Sequence, residues 1–410
     1  MNNFIVGLDI GSRHIKAIVG EAKRGGGLSI VRVLKTPTLG IRKGVVDEIS
    51  EVTQSLSPVV SDIKRISKNA ASNIFLGVGS SDIKVQSSIG VVAVSRADYE
   101  IFEDDINRAV QSAQAVHIAP NRMVLHSIIR EYIVDGVRDI QDPLEMVGNR
   151  LEVNSLIIDA FAPSIKNLSK CVEVLGGELG GLILSPLASA RAVLTKNQRE
   201  LGVVLIDIGF GRTSIAVYEE GKLLHTAVFP IGSGNITNDL AIGLKVAVPL
   251  AERIKLSFGS AVARDTLRRD SIDLSKIDAS VKTVITKKFV SEIIEVRLAE
   301  IFELINNELK YIGKAGKLPA GAVLVGGGVK VPGIVELAKH ELKLPAQIGN
   351  PDLTQFEVKD AETAQQLEDP ENICALGLLL WGYDERARSK PSVSGKSIGF
   401  LKKMFRYFVP

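Results

Sequence analysis

Phe4-Ile-Val-Gly-Leu-Asp9-Ile-Gly11-Ser12-Arg13-His-Ile-Lys16-Ala-Ile-Val-Gly20 has a second version in the same chain. It returns as Val203-Val-Leu-Ile-Asp207-Ile-Gly209-Phe210-Gly211-Arg212-Thr213-Ser-Ile-Ala-Val-Tyr218. Each stretch reads as an apolar, β-prone strand, a tight glycine-bearing turn and a returning strand. The two aspartates stand 198 residues apart, which predicts a duplicated α/β domain. Two similar halves usually face each other across a cleft, and ligands bind there.

The chemistry of the turns fits such a cleft. A glycine lets the backbone approach a phosphate because no Cβ intervenes. In the first turn the amides around Gly11, the Ser12 hydroxyl and the Lys16 ammonium could meet phosphate oxygens, with Arg13 beside them. Asp9 at the strand end could hold Mg²⁺, usually through water, because that ion keeps much of its hydration. The second turn offers Asp207 for the same ion, with Gly209, Phe210, Gly211 and Arg212. Either turn alone could be an ordinary hairpin; two in matching positions make the stronger case. A third element, Gly326-Gly327-Gly328, follows the apolar run Ala322-Val-Leu-Val and precedes a helix near Ile334. Glycines there allow flat contact with a base or sugar. Glu252 and Lys255 are three apart on the helix Val248–Phe258 and share one face. They could serve ribose hydroxyls and a base, or form a solvated ion pair. No GxxxxGK[ST] loop occurs in the chain.

Composition narrows the class. Of 410 residues, 45% are apolar and 24% charged, an ordinary globular balance. Two distant cysteines, Cys171 and Cys374, suit a reducing compartment and read as small core residues. The five histidines show no metal or triad spacing and read as structural or surface residues. The N-terminus carries no basic region of a secretory signal. The best apolar run, Ile373 to Trp381, is too short to cross a bilayer. Seven of the 50 Lys and Arg residues lie from Arg386 onward, with no Asp or Glu among them. The rest of the chain therefore carries 43 basic against 47 acidic residues, and the body has no nucleic-acid footprint.

Between the repeats, residues 82–162 look like a compact inserted α/β unit, with strands near Ile83–Val94, Met123–Val134 and Arg150–Ala160 and a helix within Tyr99–Val116. Helices at Val248–Phe258 and Phe289–Lys310 follow the second repeat. Residues 384–397 are polar and contain Pro391 and Gly395, as a linker would. Residues 398–410 then read as an amphipathic helix. At ~100° per residue Ile398, Leu401, Met404, Phe405 and Phe408 share one half of the wheel, and Lys402, Lys403 and Arg406 occupy the other. Such a helix would lie on an anionic lipid surface.

The order of elements resembles the actin, sugar-kinase and heat-shock-chaperone ATPase superfamily: hairpin loop, second hairpin loop, Ala-Glu-x-x-Lys helix, strand into triple glycine. Within it the chain resembles the FtsA family in Gly7-Leu-Asp-Ile-Gly-Ser-Arg-His-Ile-Lys16, Glu200-Leu-Gly-Val-Val-Leu-Ile-Asp-Ile-Gly209, Ile231-Gly-Ser-Gly-Asn-Ile-Thr-Asn-Asp-Leu-Ala241 and Val323-Leu-Val-Gly-Gly-Gly328, and in the insertion and basic terminus. That resemblance implies an actin-like duplicated fold with subdomains 1–81 plus 163–200, 82–162, 201–245 plus 321–383, and 246–320. It implies ATP with Mg²⁺ in the cleft, at most slow hydrolysis, and head-to-tail filaments. It implies an FtsZ C-terminal tail docked near Lys287, Lys288 and Arg297, later division proteins on residues 82–162, and a peripheral place on the cytoplasmic face of the plasma membrane at the division site. Phe210 and Arg212 depart from that pattern, where glycine and threonine are common. A type IV pilus assembly adaptor shares the fold; a sugar kinase or chaperone ATPase is the enzyme alternative.

Overall fold

The computed structural model describes residues 3–23, 25–267 and 270–388. The chain opens with an antiparallel meander: β1 (Phe4–Ile10), β2 (His14–Ala22) and β3 (Leu28–Pro37). A small hairpin follows, β4 (Ile41–Arg42) with β5 (Val45–Val46), and then helix α1 (Ile49–Ile66). On α1 the buried residues Val52, Leu56, Val59, Val60 and Ile63 recur at helical spacing and cover the sheet's core with Val6, Leu8 and Ile15. Strand β6 (Ile74–Val78) returns parallel to β1.

Residues 82–166 form a unit of their own. Its strands are β7 (Lys84–Ala93), β8 (Arg122–Val134), β9 (Val137–Ile140) and β10 (Arg150–Phe161), ordered β7-β10-β8-β9, with helix α2 (Glu103–Gln114) between β7 and β8. Gly90 is needed where α2 crosses β7, because a Cβ there would strike the Ala109 carbonyl and Ala113. Val94, Ile101, Ala109, Ala113, Leu151 and Val153 form its core. Arg122 ties its two ends together, pairing with the Asp159 carboxylate and donating to the Asp82 carbonyl at 2.6 Å. His126 is buried on β8, and burial pushes its pKa down to about 4.

The chain then builds α3 (Ala162–Glu173), β11 (Leu179–Leu184), α4 (Ser185–Val193) and α5 (Lys196–Leu201). The second repeat follows as β12 (Val203–Ile208), β13 (Thr213–Glu219) and β14 (Lys222–Phe229), then α6 (Ser233–Leu244) and α7 (Val248–Phe258). A two-stranded ribbon, β15 (Ser271–Asp273) with β16 (Val284–Thr286), leads to the long α8 (Lys287–Tyr311), whose buried stripe runs from Val290 to Leu309. Strand β17 (Ala322–Val325) is paired parallel to β12, and α9 (Ile334–Leu342) and β18 (Ala346–Ile348) complete this half's sheet, ordered β14-β13-β12-β17-β18. The apolar faces of β12 and β13 pack with α6, α7 and α8 in one core.

The last elements are β19 (Phe356–Glu357), α10 (Ala361–Glu368) and α11 (Ile373–Arg388). They correct the expected boundary of the second half. Residues 356–383 return to the first: β19 joins β3, giving the order β11-β6-β1-β2-β3-β19. Helix α11 lies so close to that sheet that a Cβ on Gly7 would run into the Ala375 carbonyl, and so close to α4 that one on Gly377 would run into that of Ala188. This is why Ile373 to Trp381 is so apolar: the run is core, not membrane. Helix α11 also continues through Arg388, so the first residues of the expected 384–397 linker are helical. The rest of that linker and the amphipathic helix at 398–410 lie outside the described residues. Among the described residues no helix is long and apolar enough to cross a membrane.

Candidate functional site

The two hairpin turns, the triple glycine and helix α7 meet around a cleft of about 450 Å³. Asp9, Gly11, Ser12, Arg13 and Lys16 line it from the first hairpin. Asp207, Gly209, Phe210, Gly211 and Arg212 line it from the second. Glu252, Lys255 and Gly326 to Gly328 complete the set, so every expected nucleotide-site residue is present.

Strand register sets the geometry. Asp9 lies opposite Lys16 across β1 and β2, and Lys16 Nζ sits 2.7 Å from its carboxylate. Burial pushes the Asp9 carboxyl up, but Lys16 and Arg212 outweigh it and hold the group below the ordinary value. For Lys16, burial works against the charge, Asp9 outweighs it, and the ammonium is held above its usual range. Asp207 behaves oppositely: burial and the nearby Asp9 charge push it up. One of its oxygens accepts from Ser189 at 3.0 Å. Asp9 Oδ1 is buried and makes no hydrogen bond among the described residues. Two buried carboxylates that oppose each other's ionisation, one with an oxygen that accepts no hydrogen bond and only faces Arg212 at 3.7 Å, suit a hard divalent cation. Among the described residues no third ligating side chain joins them, which fits an ion held largely through water.

On α7, Glu252 is bound by Lys255 at 2.8 Å, by Thr237 and by Arg13. Lys255 also donates to the Ser233 carbonyl at 3.1 Å. The pair is therefore built in, not a solvated surface pair. Burial lowers the Lys255 pKa. The Phe210 ring lies against Gly234 at the start of α6, with the Arg13 guanidinium and Lys255 ammonium 5.4 and 5.6 Å from its centroid. Arg212 reaches Ser185 Oγ at 3.2 Å and Asp9 at 3.7 Å.

The glycines of the third element differ. A Cβ on Gly326, where φ is +91°, would meet the Asp207 carboxylate, and one on Gly328 would press on Ile208. A Cβ on Gly327 would meet nothing closer than Glu371, at an ordinary 3.6 Å.

Glu371 is the most heavily engaged of the cleft residues that the sequence reading missed, which also include Lys35, Ser233 and Lys330. It accepts from His14 Nδ1 at 2.7 Å and pairs with Lys35 at 2.8 Å and Lys330 at 3.4 Å, while its carbonyl accepts from Lys16 at 3.2 Å. Burial opposes its charge, but the His14 and Lys35 hydrogen bonds dominate and hold its pKa far below the usual range. The nearest sequence signal was the Asp369-Pro370 helix start before it. Cys374 also lines the cleft; burial, with Asp9 and Asp207, keeps it a thiol.

The expected partner-docking residues lie elsewhere, on α8. Arg297 is already engaged by Asp239, at 2.5 and 2.9 Å, and by Glu300. Lys288 stands 3.9 Å from Glu292, and Lys287 is the first residue of the helix.

This architecture is that of actin-like proteins. The structure is similar to the PilM-PilN type IV pilus biogenesis complex, at 16% identity and a TM-score of 0.65 over 92% of this chain and 98% of that one. It is also similar to MreB5 of Spiroplasma citri bound to ADP, at 13% identity and a TM-score of 0.56 over 95% and 99%. A family model described as "Cell division protein FtsA" matches residues 204–377, and "SHS2 domain inserted in FTSA" matches residues 80–159. The chain is 34% identical over 394 residues to the cell division protein FtsA of Pseudomonas aeruginosa, covering 96% of this chain and 93% of that protein. It is 34% identical over 399 residues to the FtsA of Bacillus subtilis, covering 97% and 87%. The chain belongs to the FtsA family of cell division proteins.

Proposed function

We propose that the protein is an ATP-binding, filament-forming adaptor that tethers FtsZ polymers to the cytoplasmic face of the membrane and recruits later division proteins through residues 82–162. Family membership supplies the process. The observation that carries the nucleotide is the meeting of two Asp-Ile-Gly turns, with opposed buried carboxylates, at one cleft with Gly327. Asp9 and Asp207 would hold Mg²⁺ through water, and the ion would neutralise phosphate charge. The loop amides, Ser12 and Lys16 bind phosphate oxygens, Glu252 accepts from ribose hydroxyls, and Gly327 leaves flat space for the base. Phe210 and Arg212 depart from the family pattern in the second turn, and slow hydrolysis is proposed in place of a fast ATPase.

Gly327→Val tests the cleft without disturbing the fold, since only Glu371 is near. ATP affinity should fall at least about tenfold, or ~1.4 kcal/mol, with the melting temperature unchanged. Undiminished affinity by calorimetry overturns the assignment.

The FtsZ tail is proposed to dock on α8 at Lys287, Lys288 and Arg297, cations suited to an acidic peptide. Arg297→Glu should weaken a tail peptide at least about tenfold. Because Arg297 also holds Asp239, Asp239→Asn serves as the control for the internal pair. Equal affinity of the Arg297→Glu and unaltered proteins removes the site. Residues 398–410 are proposed to anchor the protein to anionic lipid, each cation contributing about 1 kcal/mol. Deleting 397–410 should abolish sedimentation with anionic vesicles and leave ATP binding intact; a truncated protein that still sediments places the anchor elsewhere.

A further inference from the structure

Arg212 stands where the family pattern commonly has threonine, and its side chain leaves the turn that carries it. It crosses into a slot made by the first half. Gly79, just after β6, forms one wall: a Cβ built there would collide with the Arg212 guanidinium. Nη2 donates to Ser185 Oγ, at the start of α4, at 3.2 Å and stands 3.7 Å from Asp9 Oδ1. The side chain is 14% exposed and still lines the cleft. A threonine side chain is too short to reach any of these groups.

The slot fixes a cation beside the two buried carboxylates. Asp9 is thereby faced by two cations, Lys16 at Oδ2 and Arg212 at Oδ1. Asp207 has no cation across the ladder, and burial with the Asp9 charge pushes it toward its neutral form. Lys16 and Arg212 together therefore outweigh the carboxylate charge at this end of the cleft. A fixed cation in such a buried place attracts an arriving anion more strongly than one in bulk water. A guanidinium carries several N–H donors, and the hydrogen bond to Ser185 leaves others for phosphate oxygens.

We propose that Arg212 is a built-in cation for the phosphate end of the cleft, and that it lets this chain bind a nucleoside polyphosphate with reduced dependence on a divalent ion. Beside Lys16, it supplies positive charge that Mg²⁺ would otherwise have to bring. The proposal deepens the reading of the cleft as a nucleotide site and rests on it.

The test is calorimetry of the full chain with ATP, once in excess Mg²⁺ and once in EDTA. Arg212→Gln removes the charge and keeps much of the side chain in its slot; Arg212→Lys keeps the charge. On removal of Mg²⁺ the unaltered protein should lose less than about tenfold in ATP affinity, and Arg212→Gln at least about a hundredfold. Arg212→Lys should stay closer to the unaltered protein. A variant that merely loosened the cleft would weaken ATP by the same factor in both conditions. If removal of Mg²⁺ costs the unaltered protein as much as it costs Arg212→Gln, the proposal is overturned while the cleft reading stands. If the unaltered protein binds ATP in neither condition, the cleft reading falls and this proposal falls with it.

Discussion

In the first hairpin Asp9 faces Lys16 across the strands; in the second, the same step of the ladder sets Asp207 opposite Ser214. The backbones repeat, but the charges do not. Asp9 keeps a fixed counter-ion and stays ionised. Asp207 has none across the ladder, and burial with the Asp9 charge pushes it up. The arginines of the two turns cross over. Arg13 leaves the first turn for Glu252 on α7 of the second half, and Arg212 leaves the second turn for Asp9 of the first. Duplication thus preserved the part of the hairpin that places a backbone near a ligand. Charge was redistributed so that one carboxylate is held ionised by a fixed counter-ion while burial and its neighbour's charge push the other toward its neutral form.

Making the first turn a copy of the second is the most damaging test of this asymmetry. Lys16→Ser removes the counter-ion of a carboxylate whose side chain is 6% exposed. Breaking a buried pair on one side typically costs 3–5 kcal/mol. Urea unfolding should show a loss of about that size; a loss under about 1 kcal/mol would mean that Lys16 is not what separates the two turns.

The isosteric pair Asp9→Asn and Asp207→Asn should move stability in opposite directions. Asp9→Asn leaves the buried Lys16 ammonium without its carboxylate, with only the Glu371 carbonyl to accept from it, at a cost of about 3 kcal/mol. The Asp9 pKa is lowered on folding, so its contribution is present above the ordinary value of 3.8 and is lost as pH falls through the folded value. The Asp207 pKa is raised, so its contribution is full below 3.8 and is lost as pH rises through the folded value. At neutral pH without divalent cation, Asp207→Asn should therefore stabilise the protein, with the gain shrinking as pH falls toward 4 and disappearing when Mg²⁺ and nucleotide are supplied. Destabilisation by Asp207→Asn at neutral pH would sink the comparison.

Much of this site was legible because the informative residues sit close together in sequence. Asp9, Gly11 and Lys16 belong to one hairpin, Glu252 and Lys255 to one helical turn, and Gly326 to Gly328 are adjacent. Glu371 was not legible. Its partners His14 and Lys16 lie 357 and 355 residues away, and a single Glu after Asp-Pro carries no pattern. The β4–β5 hairpin escaped because two residues per strand are too few to show alternation. The return of residues 356–383 to the first half was hidden for another reason: β19 is two residues long, and the buried run Ile373–Leu380 that opens α11 is apolar all round and does not announce which sheet it covers.

The gentlest way to sharpen the comparison sets the two crossing arginines against each other. Arg13 pairs with Glu252 while its own side chain is 37% exposed, whereas that of Arg212, beside Asp9, is 14% exposed. Water screens the first pair, and exposed ion pairs contribute roughly 0–1 kcal/mol. Glu252 also keeps Lys255 and Thr237 when Arg13 is removed. Arg13→Ala should therefore lower stability by less than about 1 kcal/mol, and Mg-ATP should bind no worse, because the carboxylate proposed for the ribose is released from a competitor. Arg212→Ala should cost more, since it takes a cation from a buried carboxylate and its hydrogen bond from Ser185, and it should also weaken Mg-ATP. Urea unfolding and calorimetry on the two variants give four numbers. If Arg13→Ala matches Arg212→Ala in either measurement, the two guanidinium crossings are equivalent and the electrostatic asymmetry stops at Lys16 and Ser214.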